Sequence, residues 1–392
     1  MSVPIPLPEA QARLLADIAP LSPETVAAEA SGGRCLAESL TARRTQPAAD
    51  LSAMDGYAML AGGTGPWRLI GESAAGHPFA GTVGPGEAIR ISTGALMPDG
   101  ADAVLLQENT AREGDLLTLT NNDGPTGRHI RRKGFDFSEG DVLLPAGTRI
   151  GPGQLALILS AGNTEVSVYR LPRLAILDSG DELATDPADF ALHRIPASNG
   201  AMLAVMTAGL SAETRRLGPV RDDLDALAGA LDAAGDVDVI VTSGGASVGD
   251  HDLIYPALEA WGAQIDFWRV MMKPGKPLLV ARKGAQIVLG LPGNPVSSFV
   301  TGFLFLLPLL RALAGDRAPL PRPAMLPLGA DVPAGGTRLE FLRGQYSEGV
   351  VTSLDEQDSS ALRTLASADV LIERGANAPP AAAGTLVPVY RL

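Results

Sequence analysis

The chain has few of the residues that build disulfide, metal or aromatic sites. Its 392 residues include one cysteine, Cys35, and only 4% aromatic residues. A single cysteine excludes an intramolecular disulfide and is typical of a reducing compartment, so we expect a cytoplasmic protein. The four histidines are not spaced like zinc ligands. Basic residues are also outnumbered, and a formal net charge of −13 argues against a nucleic-acid-binding protein.

Long hydrophobic runs are missing as well. The most apolar stretch, Phe299–Leu310, is short and contains Pro308, so it predicts a buried helix and no membrane contact. Met1–Glu9 has no basic region followed by an apolar run, and no signal peptide is expected. What is abundant is glycine (45) and proline (31), which indicates many tight turns. The length exceeds what one core supports, so several domains are expected.

The hydrophobic pattern predicts a multidomain α/β plus β protein. Amphipathic spacing predicts helical structure from Glu9 to Leu40, and Gly151–Ser160 reads as another helix. Short strands between Gly-rich turns predict a β-rich insertion, while strands alternating with helices from Arg173 onward predict a mostly parallel sheet covered on both faces. The predicted domains are 1–44 with 141–170 (discontinuous), 45–140 (β-rich insertion), 171–316 (α/β) and, after a Pro-rich linker, 317–392 (small β-domain).

The strongest local signal is the segment Val239–Asp252, in which an apolar strand enters a Ser/Gly loop before a helix. Ligands of open α/β sheets bind at the carboxyl ends of strands, and small residues let backbone amides approach phosphate. Ser243 and Ser247 add hydroxyl donors, and Asp250 and Asp252 are placed to hold Mg²⁺ against phosphates. A tight turn with an Asp helix cap explains the same residues without any ligand.

Two further loops have a comparable pattern. Met272–Pro277 carries Lys273 and Lys276, each followed by proline. Because proline stiffens the loop, the lysines would lose less entropy on binding an anion. Leu289–Ser298 is an apolar strand that ends in a Gly/Pro loop. Each loop also fits a purely structural role. The first could be an exposed basic turn, and the second could be the entry to a helix.

Carboxylates form the last group of candidates. Asp181 and Glu182 follow one strand, and Asp222 and Asp223 open a helix, where acids are commonly caps. Lysines together with acids at several strand ends indicate a metal-bridged oxyanion site. No Ser-His-Asp arrangement stands out.

Taken together, these motifs resemble the molybdopterin molybdenumtransferases, the MoeA family, which is related to the gephyrin C-terminal domain. The matching segments extend over nearly the whole chain: SAMDGYA at 52–58, ISTGALMPDGADAVLLQE at 91–108, RRKGFDFSEGD at 131–141, SGDEL at 179–183, TSGGASVGDHD at 242–252, MKPGKP at 272–277 and LPGNPVSS at 291–298.

The resemblance implies a central three-layer α/β molybdopterin-binding domain, a β-rich inserted domain and a small C-terminal β-barrel. It implies a homodimer in which the insertion of one subunit helps to close the cleft of the other, and contact with other molybdenum-cofactor enzymes. The implied reaction is Mg²⁺-dependent insertion of molybdate into adenylylated molybdopterin with release of AMP. Both substrates are small anions, and the pterin supplies the metal-binding sulfurs, so one cysteine suffices.

The same resemblance assigns roles to individual residues. The implied catalytic residues are Asp55, Thr93, Asp136, Glu182, Asp222 and Asp252, of which Glu182, Asp222 and Asp252 would hold Mg²⁺. The implied substrate-binding residues are Ser243, Gly244, Gly245, Ser247, Lys273, Lys276, Pro292, Pro295, Arg343 and Ser359. The chain departs from the family pattern at 183–198 and at Arg269, where some members carry lysine.

Three alternatives remain open at this point. One is a molybdopterin adenylyltransferase, which would resemble the α/β domain but would not need the two flanking β-rich domains. Another is a non-catalytic scaffold, which would not need acids and lysines in one cleft. The third is tungstate in place of molybdate, since the two oxyanions share charge and nearly share size.

Overall fold

The computed structural model describes residues 4–244, 253–275 and 277–392. The chain divides into two compact units. One comprises the chain up to Glu24, Gly33–Ala37 and Val168–Leu392, and the other comprises Thr25–Gly32 and Glu38–Ser167. The four-domain division drawn from the sequence is finer than this and stays a prediction.

The N-terminal helix is shorter than the sequence suggested. Helix α1 spans Leu7–Leu15, and it is followed by strand β1 at Pro23–Ala27 and a 3₁₀ turn at Ala28–Ala30. The prediction of helical structure as far as Leu40 is therefore wrong beyond α1. Pro20 helps to explain the early end, because proline has no N–H to donate and its ring collides with the preceding helical turn.

The second unit is β-rich, as expected for the insertion. Its elements are β2 (Leu40–Thr41), β3 (Leu51–Ser52), β4 (Gly56–Met59), β5 (Trp67–Ser73), β6 (Glu87–Ile91), β7 (Ala103–Leu106), β8 (Thr110–Glu113), β9 (Leu116–Leu119), β10 (Ile130–Arg131), β11 (Val142–Leu144) and α2 (Pro152–Ser160). The main sheet has the strand order β7-β4-β6-β5-β9-β8. Along β4, Tyr57 and Met59 join one apolar cluster and Ala58 joins another, so both faces of this sheet are covered.

The α/β part follows strand β12 (Glu165–Tyr169). Its elements are β13 (Arg173–Ser179), β14 (Leu183–Ala184), β15 (Ile195–Pro196), α3 (Asn199–Met206), β16 (Glu213–Val220), α4 (Leu224–Ala234), β17 (Val239–Ser243), α5 (Ile254–Ala260), β18 (Gln264–Arg269), β19 (Met272–Lys273), β20 (Pro277–Lys283), β21 (Gln286–Leu291), α6 (Pro295–Thr301) and α7 (Leu307–Leu313). The sheet order is β16-β13-β17-β21-β20-β18. The first four strands are parallel, and β20 and β18 are antiparallel to their neighbours. The mostly parallel sheet predicted from the sequence is confirmed.

The core of this sheet has two faces. Along β13, Leu174 and Ile176 join the apolar cluster that includes α6 and α7, whereas Ala175 and Leu177 join the cluster that includes α4 and α5. Because strand side chains alternate between faces, one strand contributes to both helical layers. The result is the three-layer arrangement that the alternation of strands and helices predicted.

The last core helix is interrupted. A π-helical turn at Gly302–Leu306 joins α6 to α7. Pro308 has no N–H to donate to the carbonyl of Leu304, and the side-chain amide of Gln11 donates to that carbonyl instead, at 2.9 Å. By length and composition this continuous helix, Pro295–Leu313, could cross a membrane, but 83% of its most apolar stretch is buried within the protein. It is a core helix.

The C-terminal part forms a small barrel. Its elements are β22 (Ala324–Pro327), β23 (Leu339–Ser347), β24 (Val350–Ser353), α8 (Leu362–Ala366), β25 (Val370–Arg374) and β26 (Leu386–Arg391). The strand order is β19-β23-β25-β26-β22, and β24 pairs with the free half of β23. A bridge between Leu328 and Val351 closes the circuit. Since β19 belongs to the α/β part of the chain, this sheet also joins the two parts.

Candidate functional site

A cleft of about 970 Å³ opens at the carboxyl ends of the parallel strands. Asp178 and Ser179 line it from the end of β13, Ser243 and Gly244 from the end of β17, and Pro292 from the loop after β21. This is where parallel sheets place their ligands. The volume is at the upper end of the range that small-molecule sites occupy, about 300–1,000 Å³. The sequence therefore located the cleft correctly at three strand ends.

Asn199, the first residue of α3, ties these strand ends together. Its side-chain amide donates to the hydroxyl of Ser243 at 2.9 Å and to the carbonyl of Gly293 at 2.7 Å. A β-carbon placed on Gly293 would lie 3.5 Å from the α-carbon of Gly244, so the two loops are in direct contact. One amide thus fixes the relative positions of the loops after β17 and β21.

The backbone conformation at position 244 requires glycine. Its φ is +102°, and a β-carbon here would lie 2.7 Å from the carbonyl oxygen of Ser179. Its N–H donates to the carbonyl of Leu291 at 3.2 Å, so this amide already has a protein partner. Gly244 allows strands β13 and β21 to approach the turn closely. Gly245, Ser247 and Asp252, which the sequence placed farther along this loop, lie outside the described residues.

Two of the predicted acids, Glu182 and Asp222, line the same cleft. The backbone N–H of Asp222 donates to the carboxylate of Asp181 at 3.3 Å. Partial burial, together with the charges of Asp181 and Glu182, raises the pKa of Asp222. The cap of α4 is Asp223, whose carboxylate accepts from the N–H of Ala226 at 2.9 Å. Asp222 is therefore not occupied as the helix cap.

These acids do not by themselves make a complete metal site. Among the described residues, no group of three metal-ligating side chains lies close enough together to hold a cation. The third predicted ligand, Asp252, is not among them. Burial is the main cause of the raised pKa of Asp222, and the negative charges of Asp181 and Glu182 add to it.

A further acid, Asp178, was not assigned a role from the sequence. It lines the cleft although it is only 4% exposed. Burial raises its pKa, while the positive charge of Arg216 and a hydrogen bond from the N–H of Gly200 at 3.2 Å act in the opposite direction. The only sequence signal was an ionisable residue at the end of an apolar run, where it reads as part of a turn.

The barrel contributes one wall of the cleft through the loop before α8. Ser360 and Leu362 line the cleft, and Ser359 directly precedes them in the chain without lining it. The hydroxyl of Ser359 accepts a hydrogen bond from the amide of Asn294 at 3.1 Å, and its carbonyl accepts from the N–H of Val296, also at 3.1 Å. The predicted residue Ser359 is therefore attached to the mouth of the cleft.

Arg343 supports this loop from inside the barrel. It is 1% exposed, and its guanidinium donates to the carbonyls of Glu356 at 3.3 Å and Asp358 at 3.0 Å. Burial lowers its pKa, and the neighbouring acids oppose that change. The structure gives Arg343 a supporting position beneath the loop that carries Ser359, rather than one on the cleft surface.

Of the predicted loop residues, the two prolines line the cleft and Lys273 does not. Pro292 and Pro295 line the cleft, and Pro295 is the first residue of α6, where its missing N–H does no harm. The ammonium of Lys273 lies 3.2 Å from the carboxylate of Glu340 on the barrel strand β23. The pair is solvent-exposed on the lysine side, so it stabilises the fold by no more than about 1 kcal/mol. Lys276 lies outside the described residues.

The three candidates of the β-rich unit, Asp55, Thr93 and Asp136, are exposed. The carboxylate of Asp55 accepts from the N–H and the hydroxyl of Thr93, at 2.6 and 2.9 Å, and these bonds lower the pKa of Asp55. The backbone N–H of Asp136 donates to the carbonyl of Gln46 at 3.0 Å. Asp55 and Thr93 thus form one preorganised turn, and the functional assignment of all three stays a prediction.

The fold and the cleft define a multidomain α/β protein with a cleft of ligand-binding size at the strand ends of its three-layer domain. Three family models match successive parts of the chain: the MoeA N-terminal region (domain I and II) at residues 5–162, the probable molybdopterin binding domain at 175–312 and the MoeA C-terminal region (domain IV) at 325–392. The chain belongs to the MoeA family.

Individual relatives cover most of the chain. A molybdopterin molybdenumtransferase of Nostoc sp. is 38% identical over 73% of this chain and 68% of its own length. That of Bacillus subtilis is 33% identical over 94% of this chain and 90% of its own. A crystal structure of the molybdopterin biosynthesis MoeA protein from Pyrococcus horikoshii OT3 covers 100% of both chains, with 27% identity and a TM-score of 0.85. The family resemblance read from the sequence is confirmed.

Proposed function

We propose that this protein is a cytoplasmic molybdopterin molybdenumtransferase, which inserts molybdate into adenylylated molybdopterin in the presence of Mg²⁺ and releases AMP. One observation carries the proposal. A cleft of ligand-binding size collects the strand-end loops, the acids Glu182 and Asp222 and a wall from the barrel, in a chain whose full-length relatives are named for this activity. A single-domain adenylyltransferase would not need the barrel wall.

The residues of the cleft have separable roles in this proposal. The side chain of Ser243 and the loops held by Asn199 bind and orient the phosphate-bearing part of the substrate. Lys273, two residues before the cleft-lining Gly275, offsets the charge of the incoming oxyanion. The described part of the chain shows no side chain arranged as a nucleophile in the cleft, which supports direct attack of water or a molybdate oxygen on an anhydride phosphorus, with AMP as the leaving group and no covalent enzyme intermediate.

Glu182 and Asp222, together with Asp252, would hold Mg²⁺. When bound, the metal ion would stabilise the negative charge that develops on the departing AMP phosphate. The crowding of Asp222 by Asp181 and Glu182 supports this assignment, because such crowding is relieved by a dication.

The test is incubation of the purified protein with adenylylated molybdopterin, Mg²⁺ and molybdate, with AMP release and active cofactor measured separately. The proposal predicts both products, and it predicts that chelation of Mg²⁺ abolishes both. The Glu182→Gln variant should remain folded and lose AMP release. Cofactor formation at the parental rate by this variant would remove Glu182 from the mechanism, and failure of the parent protein to release AMP would refute the proposed activity.

The resemblance also supports a homodimer whose inserted domain approaches the partner's cleft, with Asp55, Thr93 and Asp136 acting there. Sedimentation analysis tests the dimer. If the dimer forms, mixing an Asp55→Asn subunit with a Glu182→Gln subunit should restore part of the activity, because one cleft of the mixed dimer would be intact. No recovery above the activity of either variant alone would refute the shared cleft.

A further inference from the structure

Asp178 is an unusual residue to find at the floor of a cleft for an anionic ligand. It is the penultimate residue of strand β13, pairs in register with Ser243 of β17, and is 4% exposed although it lines the cleft. One carboxylate oxygen accepts from the N–H of Gly200 at 3.2 Å. A β-carbon on Gly200 would lie 2.2 Å from that same oxygen, so the start of α3 holds the carboxylate in place.

A carboxylate held there limits what can lie against it. Burial raises the pKa of Asp178, which records that its charge is poorly compensated by the protein alone. A phosphate group at this position would bring a second negative charge into contact with a carboxylate that is itself almost fully buried. The part of the ligand that touches Asp178 must therefore be a group that donates hydrogen bonds.

The neighbouring wall is apolar. Leu183, Ile195 and Pro196 line the cleft where the short strands β14 and β15 pair. A flat heterocycle can lie against such a wall and direct its N–H edge to an acid, while an attached phosphate extends toward the loops at Gly244 and Gly293. A pterin ring has a suitable edge, since its 2-amino group and adjacent ring N–H are two parallel donors that match the two oxygens of a carboxylate.

We propose that Asp178 recognises the 2-amino-pyrimidinone edge of the pterin and so selects the ring and its orientation in the cleft. This inference rests on the proposed function, because it takes the ligand to be a pterin. It assigns Asp178 to substrate recognition, and it requires no part of the chemical step.

The test compares two fluorescent ligands that differ at one position. One is 6-(phosphooxymethyl)pterin, and the other is the corresponding lumazine, in which an oxo group replaces the 2-amino group. The parent protein should bind the pterin at least about tenfold more tightly, the scale of a bidentate contact. In Asp178→Asn, the N–H of Gly200 keeps the amide oxygen in its place and turns the amide nitrogen toward the ligand. The preference should then fall to unity or reverse in favour of the lumazine.

The control is Asp181→Asn, which removes the same charge from an exposed position near the mouth of the cleft. This variant should keep the parental preference. A pterin-to-lumazine ratio near one in the parent protein would overturn the proposal, and this measurement needs no variant to fold. A tenfold preference that survives in folded Asp178→Asn would overturn it equally.

Failure of this inference can be distinguished from failure of the proposed function. If the parent protein releases AMP and forms cofactor but does not discriminate the two ligands, only the role of Asp178 falls. If it discriminates the ligands but forms no cofactor, the recognition role stands, and the reaction assigned to the cleft is what fails.

Discussion

Substituting Gly244 by alanine would test whether the cleft depends on close approach of backbone segments. Two effects add at this position. The residue has a φ of +102°, where a side chain is strained by about 1–3 kcal/mol. The new β-carbon would also lie 2.7 Å from the carbonyl oxygen of Ser179, which is backbone and cannot turn away. We therefore expect a loss of stability clearly larger than the conformational strain alone.

Gly262 offers a matched control. It lies in the turn after α5 with a φ of +85°, and a β-carbon there would have no atom within 4 Å. Gly262→Ala should thus lower the free energy of unfolding by only about 1–2 kcal/mol, the ordinary penalty of a left-handed conformation. Gly244→Ala should exceed this by at least about 1 kcal/mol, the order expected for overpacking against rigid neighbours.

The assay is urea denaturation of both variants, followed by AMP release in the folded protein. Gly262→Ala should keep the parental kcat/KM. Gly244→Ala should lower kcat/KM, because the shift needed to relieve the clash moves the ends of β13 and β17, which form the floor of the cleft. Equal destabilisation by the two substitutions would refute the argument, since it would mean that the contact with Ser179 contributes nothing.

Three other substitutions have expected outcomes. Gln11→Met should cost about 1–3 kcal/mol of stability, because it removes the donor to the buried carbonyl of Leu304. Its control is Gln345→Met, which removes a similar but exposed hydrogen bond. The control should cost under about 0.5 kcal/mol in the same urea titration. Arg343→Met should destabilise the barrel by about 2–3 kcal/mol and raise KM, because two loop carbonyls lose their charged donor. Asp222→Asn should be more stable than the parent at pH 7. The raised pKa means that the folded state holds the proton more tightly than the unfolded state, so ionisation lowers the parent's stability as pH rises, and melting curves of the two proteins should converge below about pH 3.8.

Much of the α/β architecture could be predicted because apolar periodicity and tight turns are local signals. The strands ending at Ser179, Ser243 and Leu291 were recognised from their apolar runs, and their common parallel direction places their ends at one edge. The N-terminal region was predicted wrongly as helical, because α1 has amphipathic spacing and the prolines that follow it were given too little weight. Local pattern therefore identified the cleft more securely than it identified the ends of elements.

The residues missed or placed differently depend on tertiary contacts. The residues next to Asp178 in the sequence do not indicate that Gly200 and Arg216 will lie close to it in the fold. These partners belong to a different helix and a different strand. Arg343 likewise looked like an anion ligand by motif, but its guanidinium binds loop carbonyls within the barrel. A motif indicates which residue types a site contains, whereas burial and partners decide which of them reach the ligand.

The barrel is bound to the cleft by the physical chemistry of a helix end. The first N–H groups of α6 have no partners within the helix, and Pro295 supplies none. Asn294, at the cap position, makes no capping bond with its side chain and donates its amide to Ser359 instead. The carbonyl of Ser359 in turn accepts from the N–H of Val296, so the barrel supplies the cap that the helix lacks. Because α6 begins at the cleft and continues as the core helix, a displacement of the barrel loop must disturb the loop at Pro292 and the packing of that helix together. The barrel is therefore a structural part of the candidate site, which explains why cleft residues come from segments as distant as 178 and 362.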